Sequence, residues 1–139
     1  MLLDFVVCDD VRSEKGDKST LVGVYSDVIR LGVQGATALP WPVMLPKLGV
    51  FIRTKPVGDF VPEQFSLSFS HNGTQVGRFE GAIQVIDKMR PITLAVVASP
   101  FPIPGPGVIQ FELVFKKGDQ SKQVPIDRSV SIEVAGPSH

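Results

Sequence analysis

Between Gln64 and Ser70 the chain alternates strictly: Phe65, Leu67 and Phe69 are apolar, while Gln64, Ser66, Ser68 and Ser70 are polar. A repeat of two residues is the signature of a strand with one buried and one solvated face. Asn72-Gly73 follows directly. This pair suits a two-residue type I′ turn, because both central positions need a positive φ. Thr74–Phe79 then reads as the returning strand of a hairpin. The alternation recurs where Ile109, Phe111, Leu113 and Phe115 face Gln110, Glu112 and Lys116, and again at Val130, Ile132 and Val134 against Ser131 and Glu133. No window longer than about ten residues carries a helical period.

The remaining strands are read at residues 2–8, 19–30, 48–55, 92–98 and 122–126, with residues 80–91 ambiguous between strand and crossing. Two uncharged, proline-rich segments interrupt the pattern: Leu39-Pro40-Trp41-Pro42-Val43-Met44-Leu45-Pro46, within residues 31–46, and Ser99-Pro100-Phe101-Pro102-Ile103-Pro104-Gly105-Pro106-Gly107. Residues before proline are pushed toward extended conformations, so both read as stiff loops. Gly 13 and Pro 12 in 139 residues suit a turn-rich β protein, and 43% hydrophobic residues supply a core. The expectation is all-β: a single antiparallel β-sandwich domain of eight or nine strands over residues 1–139, with a β-barrel as the alternative.

The N-terminal run Val6-Val7-Cys8-Asp9-Asp10-Val11-Arg12 leads from an apolar strand into an acidic pair and a base. Lys18-Ser19-Thr20-Leu21-Val22-Gly23-Val24-Tyr25 follows after a polar connection at residues 9–18. The pattern Cys8-Asp9-Asp10-Val11-Arg12, with Lys18, Leu21, Gly23 and Tyr25 at their spacing, resembles a family of small, mostly bacterial, uncharacterised proteins. Leu45-Pro46-Lys47-Leu48 and Pro104-Gly105 before a long alternating strand are similar to that family's pattern too. Gly107-Val108-Ile109 departs from its usual glycine–aromatic pair. The resemblance implies a β-sandwich in a cytosolic bacterial or phage setting, and it implies no activity.

Charge excludes some functions. Lys+Arg and Asp+Glu are equal at 14 each, so the chain lacks the broad positive field that phosphate backbones attract, and nucleic acid is not an expected partner. No apolar run approaches the roughly 18 residues of a membrane span. Met1-Leu2-Leu3-Asp4 is a poor signal peptide, and a lone cysteine cannot form an internal disulfide, so cytoplasmic residence is expected. Asn72-Gly73-Thr74 reads as a turn rather than a glycosylation site.

Candidates for chemistry are sparse. Cys8 lies in an apolar strand beside two carboxylates that oppose a thiolate. His71 and His139 have no sequence-local partners. Asp9 and Asp10 point to opposite sides of a strand end, so a calcium site would need ligands from several loops. The favoured reading is a structural hairpin lock of Asp9, Asp10, Arg12, Lys18 and Tyr25, with Asp10 paired to Arg12 or Lys18. No catalytic residue, metal or cofactor is assigned.

Counting strands as consecutive antiparallel passes puts residues 9–18, 56–63, 80–91 and 116–121 at one charged pole. The two proline-rich loops and residues 71–74 then fall at the other. There Trp41, Met44, Phe101 and Ile103 form a candidate interaction patch, with Trp41 and Phe101 expected to be partly exposed. Leu45 and Ile103 are equally read as plugging the core. Ser66, Ser68 and Ser70 are read as the open face of a possible edge strand. The chain is therefore expected to be a non-enzymatic interaction or structural module that binds a protein partner or itself. A small apolar-ligand binder at the proline-rich pole and a calcium-binding sandwich are the alternatives.

Overall fold

Period-two alternation becomes strand throughout the computed structural model, which describes residues 2–16, 18–32, 40–56 and 58–135. The strands are β1 (Leu2–Glu14), β2 (Lys18–Tyr25), β3 (Val28–Gly32), β4 (Val43–Leu45), β5 (Leu48–Thr54), β6 (Gln64–His71), β7 (Thr74–Ala82), β8 (Ile92–Ala98), β9 (Phe101–Ile103), β10 (Gly107–Lys117), β11 (Gln120–Val124) and β12 (Ser129–Ala135). One sheet has the order β2-β1-β5-β8. The other has β3-β12-β10-β6-β7, with β11 also on β10, and β4 pairs separately with β9. No sheet closes on itself among the described residues, so the architecture is a sandwich and not a barrel.

The core lies between the two main sheets. Phe5, Val7, Val50, Ile52 and Leu94 enter from one, and Leu67, Phe69, Phe111, Leu113 and Ile132 from the other. Four rings are chained through it edge to face. Phe5 meets Phe111 at 4.9 Å, Phe111 meets Phe69 at 5.6 Å, and Phe69 meets Phe101 at 5.3 Å. Asn72 and Gly73 take φ of 48° and 88°, as the hairpin signal requires.

Several expectations are corrected. There are twelve strands among the described residues rather than eight or nine, because β3, β4 and β9 fall where loops or a longer strand were read. The sandwich is not wholly antiparallel: β12 and β3 run parallel. β1 does not end at Cys8 but continues to Glu14. An exposed two-stranded ribbon solvates side chains on both faces, so charged residues do not end its ladder. β6 is no edge strand, since β10 and β7 flank it. Ser66 is buried there and accepts a hydrogen bond from Arg78 Nε at 3.0 Å.

The pole assignment also changes. Residues 19–30 are two strands rather than one pass. The chain turns at Ser26-Asp27, reverses and crosses into the other sheet as β3. That extra reversal inverts the strand count. Cys8 pairs with Gly49 near the start of β5, while Leu2 pairs with Thr54 at its end. The charged hairpin tip therefore lies at the same end as β4 and β9, away from residues 56–63. Residues 33–39 of the first proline-rich segment, together with Asp17 and His139, lie outside the described residues.

Candidate functional site

The N-terminal motif becomes a ribbon that outruns its sheet. Pairing of β1 with β5 stops at Cys8–Gly49, whereas pairing of β1 with β2 continues to Glu14–Lys18. Arg12–Glu14 and Lys18–Thr20 are exposed, and Asp10, Val11, Leu21 and Val22 are half-buried.

Gly49 sets how the ribbon leaves the sheet. A Cβ there would lie 3.2 Å from Cys8 Sγ and Val11 Cγ2, and 3.3 Å from the Asp10 carbonyl carbon. The main chain of β1 thus crosses close over the outward side of β5, and a side chain at position 49 would crowd it. This crossing seals Cys8, which is fully buried with its thiol directed at the carbonyls of Asp10 (3.3 Å) and Gly49 (3.7 Å). Burial pushes the Cys8 pKa up, and the charges of Asp9 and Asp10 add to that. Cys8 is a packing residue and not a poised nucleophile.

The two carboxylates diverge and are each satisfied. Asp10 accepts the Val11 N–H at 3.0 Å and faces Arg12 Nε and Lys47 Nζ, both at 3.5 Å. Burial works against its charge. The Lys47 charge, with hydrogen bonds from Lys47, Arg12 and Val11, outweighs it and holds the carboxyl below the ordinary range. Asp9 turns the other way and accepts a hydrogen bond from Tyr25 Oη at 2.5 Å. Its carboxylate fills the space that a side chain on Gly23 would need, and Gly23 has φ of +65°.

The expected pairing of Asp10 with Arg12 is present. Lys18 is not its partner: it stands opposite Glu14 at the ribbon tip, where Glu14 accepts a hydrogen bond from Thr20 at 3.2 Å. Lys47 fills that role from outside the hairpin. Sequence reasoning marked the Leu45–Leu48 run only as part of a resemblance, and 37 residues separate Lys47 from Asp10. Among the described residues no group of three or more His, Cys, Asp or Glu is placed to hold a metal.

Tyr25 makes the lock sensitive to alkali. Burial first, and then the bond to Asp9, push its pKa up to about 12. An unfolded tyrosine titrates near about 10, so the folded state holds this proton more tightly. The contribution is complete below about pH 10 and is lost as pH rises toward 12. Urea midpoints measured across that range should fall in the wild type and fall less steeply in Tyr25→Phe.

The interaction patch is only partly formed. Trp41 is 37% and Met44 50% exposed, but Phe101 is 2% exposed and Ile103 fully buried. The expectation that Phe101 is partly exposed is therefore corrected. Pairing of Leu45 with Phe101 and Val43 with Ile103 makes β4–β9 a flap over the core end. Phe101 points down against Phe69, Ile103 is buried in the same core, and Met44 alternates outward. His71, at the neighbouring hairpin tip, bonds the Gly105 carbonyl at 2.9 Å, and so ties the second proline-rich loop down.

Among the described residues a cleft lies elsewhere, beside the crossing from β2 to β3. It encloses about 510 Å³ between Phe5, Val7, Val24, Tyr25, Asp27 and Arg128. Beyond Tyr25 no β2 residue pairs with β1, and Arg128 reaches across to donate to the Phe5 carbonyl at 3.1 Å. Comparison with protein-family models and with curated proteins finds no match.

Proposed function

We propose that this protein is a non-enzymatic interaction module of the bacterial cytosol that docks a protein partner at the end formed by the β1–β2 ribbon and the β4–β9 flap. The observation that carries the reading is the ribbon: residues 9–14 run past the last β5 pair, a reach of roughly 20 Å at strand spacing. Beside it, Trp41 and Met44 offer apolar surface on backbone stiffened by proline. Tryptophan is enriched among residues that dominate binding energy, and preordered loops lose little entropy on docking. The resemblance of the N-terminal motif to uncharacterised bacterial proteins and the sealed, unpaired Cys8 support the setting.

The test is capture from a bacterial lysate by the tagged chain, with the captured protein then purified for titration. Changing Trp41 and Met44 together to serine should weaken binding at least about tenfold, which is 1.4 kcal/mol or more. Ile86→Ser, at a 92% exposed residue, should bind as wild type. Equal binding by all three proteins, or loss in Ile86→Ser alone, contradicts the docking site.

A small-ligand role is the second reading. It is supported by the cleft at Tyr25, Asp27 and Arg128, where apolar walls meet a few convergent polar groups. A ligand there should raise the melting temperature of wild type and not that of Val24→Trp, whose side chain would fill the cleft.

A further inference from the structure

The edges of the two main sheets are not alike. Edge strand β7 carries Arg78 and Glu80, β3 carries Arg30, β11 carries Lys122, and β2 begins with Lys18. Such charges are the usual guard against edge-to-edge pairing. β8, the other edge of the four-stranded sheet, reads Ile92-Thr93-Leu94-Ala95-Val96-Val97-Ala98. Its seven residues include no charge, no proline and no glycine, and four are β-branched. Among the described residues only β5 pairs with it. A strand of this composition with one open side is a template for another strand.

The sequence of β8 also matches itself. An antiparallel copy centred on Ala95 places Ala95 opposite Ala95, Leu94 opposite Val96, Thr93 opposite Val97 and Ile92 opposite Ala98. Every pair is apolar or β-branched. The inward residues Ile92, Leu94, Val96 and Ala98 meet only one another, and so do the outward Thr93, Ala95 and Val97. Charge fits as well. Asp87, Lys88 and Arg90, which precede the strand, fall beyond Ala98 of the copy, against the uncharged Ser99-Pro100 turn, so no like charges meet. A ladder of this length supplies about seven main-chain hydrogen bonds, against the ten or so of a standard interface. We propose that β8 is a homodimer edge, pairing antiparallel with β8 of a second copy about a two-fold axis through Ala95 and joining the two four-stranded sheets into one. This edge is distinct from the ribbon, and only its Ala98 end adjoins the flap.

Light scattering after size exclusion at micromolar concentration tests it. The wild type should elute at twice the 15.0 kDa chain mass. Ala95 is exposed, so Ala95→Lys and Ala95→Glu should keep the wild-type circular dichroism. Each puts two like charges face to face on the axis and should weaken dimerisation about tenfold or more. Mixing the two variants should restore the dimer as a heterodimer. Val24→Lys, at the far edge of the same sheet, should leave the mass unchanged. A wild-type mass of one chain overturns the proposal and leaves the edge for a different protein. Dimers that persist in both Ala95 variants, or that dissociate in Val24→Lys, overturn it too.

Discussion

Phe69→Ala is expected to lower the unfolding free energy by about 3–5 kcal/mol, the range for deleting a fully buried phenylalanine. The upper half of that range is expected here. Phe69 is fully buried and meets Phe79, Phe101 and Phe111 edge to face at 5.7, 5.3 and 5.6 Å. It stands where the second sheet, the ring chain and the flap meet, so no single neighbour can collapse into the space. The loss has a local signature as well. Phe101 rests on Phe69, and β9 holds β4, which follows Trp41. Trp41 is the one tryptophan in the chain, so its emission should shift at urea concentrations below the main transition. Urea unfolding followed by both fluorescence and circular dichroism checks this. Coincident transitions at wild-type stability would mean that the flap does not rest on Phe69.

Gly23→Val carries the second large effect, expected at about 3 kcal/mol from two sources. A φ of +65° is a left-handed conformation that β-branched residues strongly resist. The new side chain would also occupy the position of the Asp9 carboxylate and break its bond to Tyr25. The two sources can be separated. In Gly23→Ala both act. Adding Asp9→Ala removes the collision and leaves the backbone strain, so the double variant should lose less than the sum of the single variants. Denaturant midpoints of the four proteins give the coupling directly, and strict additivity would mean that Asp9 and Gly23 do not compete for space.

Much of the fold is legible in the sequence because alternation is a local signal. Ile92–Ala98 and the Asn72-Gly73 turn are read at their observed positions, since period-two patterning and turn chemistry both act within a few residues. The reversal at Ser26-Asp27 is not legible. Ser26 and Asp27 interrupt the apolar pattern for only two residues between Tyr25 and Val28, and neither glycine nor proline marks the break. A strand count without it inverts the poles and separates the ribbon from the proline-rich end that it adjoins.

The lock shows the same division. The Asp9–Tyr25 and Asp10–Arg12 contacts lie within one hairpin and follow from strand parity. The Lys47 contact depends on which strand neighbours β1, and a sequence does not show sheet order. Gly49 is legible only in part: a glycine within an apolar strand signals a close backbone approach but not which segment makes it. At Phe101 proline-rich composition suggests a surface loop, whereas pairing with β4 turns alternate residues inward.

Asp10, held by Lys47 and Arg12, is expected to keep the ribbon folded over Gly49, which would make the Cys8–Arg12 run an architectural lock. Amide hydrogen exchange on the wild type and on Asp10→Asn tests it most directly, because exchange reports local opening residue by residue. The lock predicts faster exchange in the variant across residues 10–14 and 18–22, with β5, β6 and β10 unchanged. Ribbon protection equal to wild type in Asp10→Asn, or an equal loss throughout the core, would contradict it.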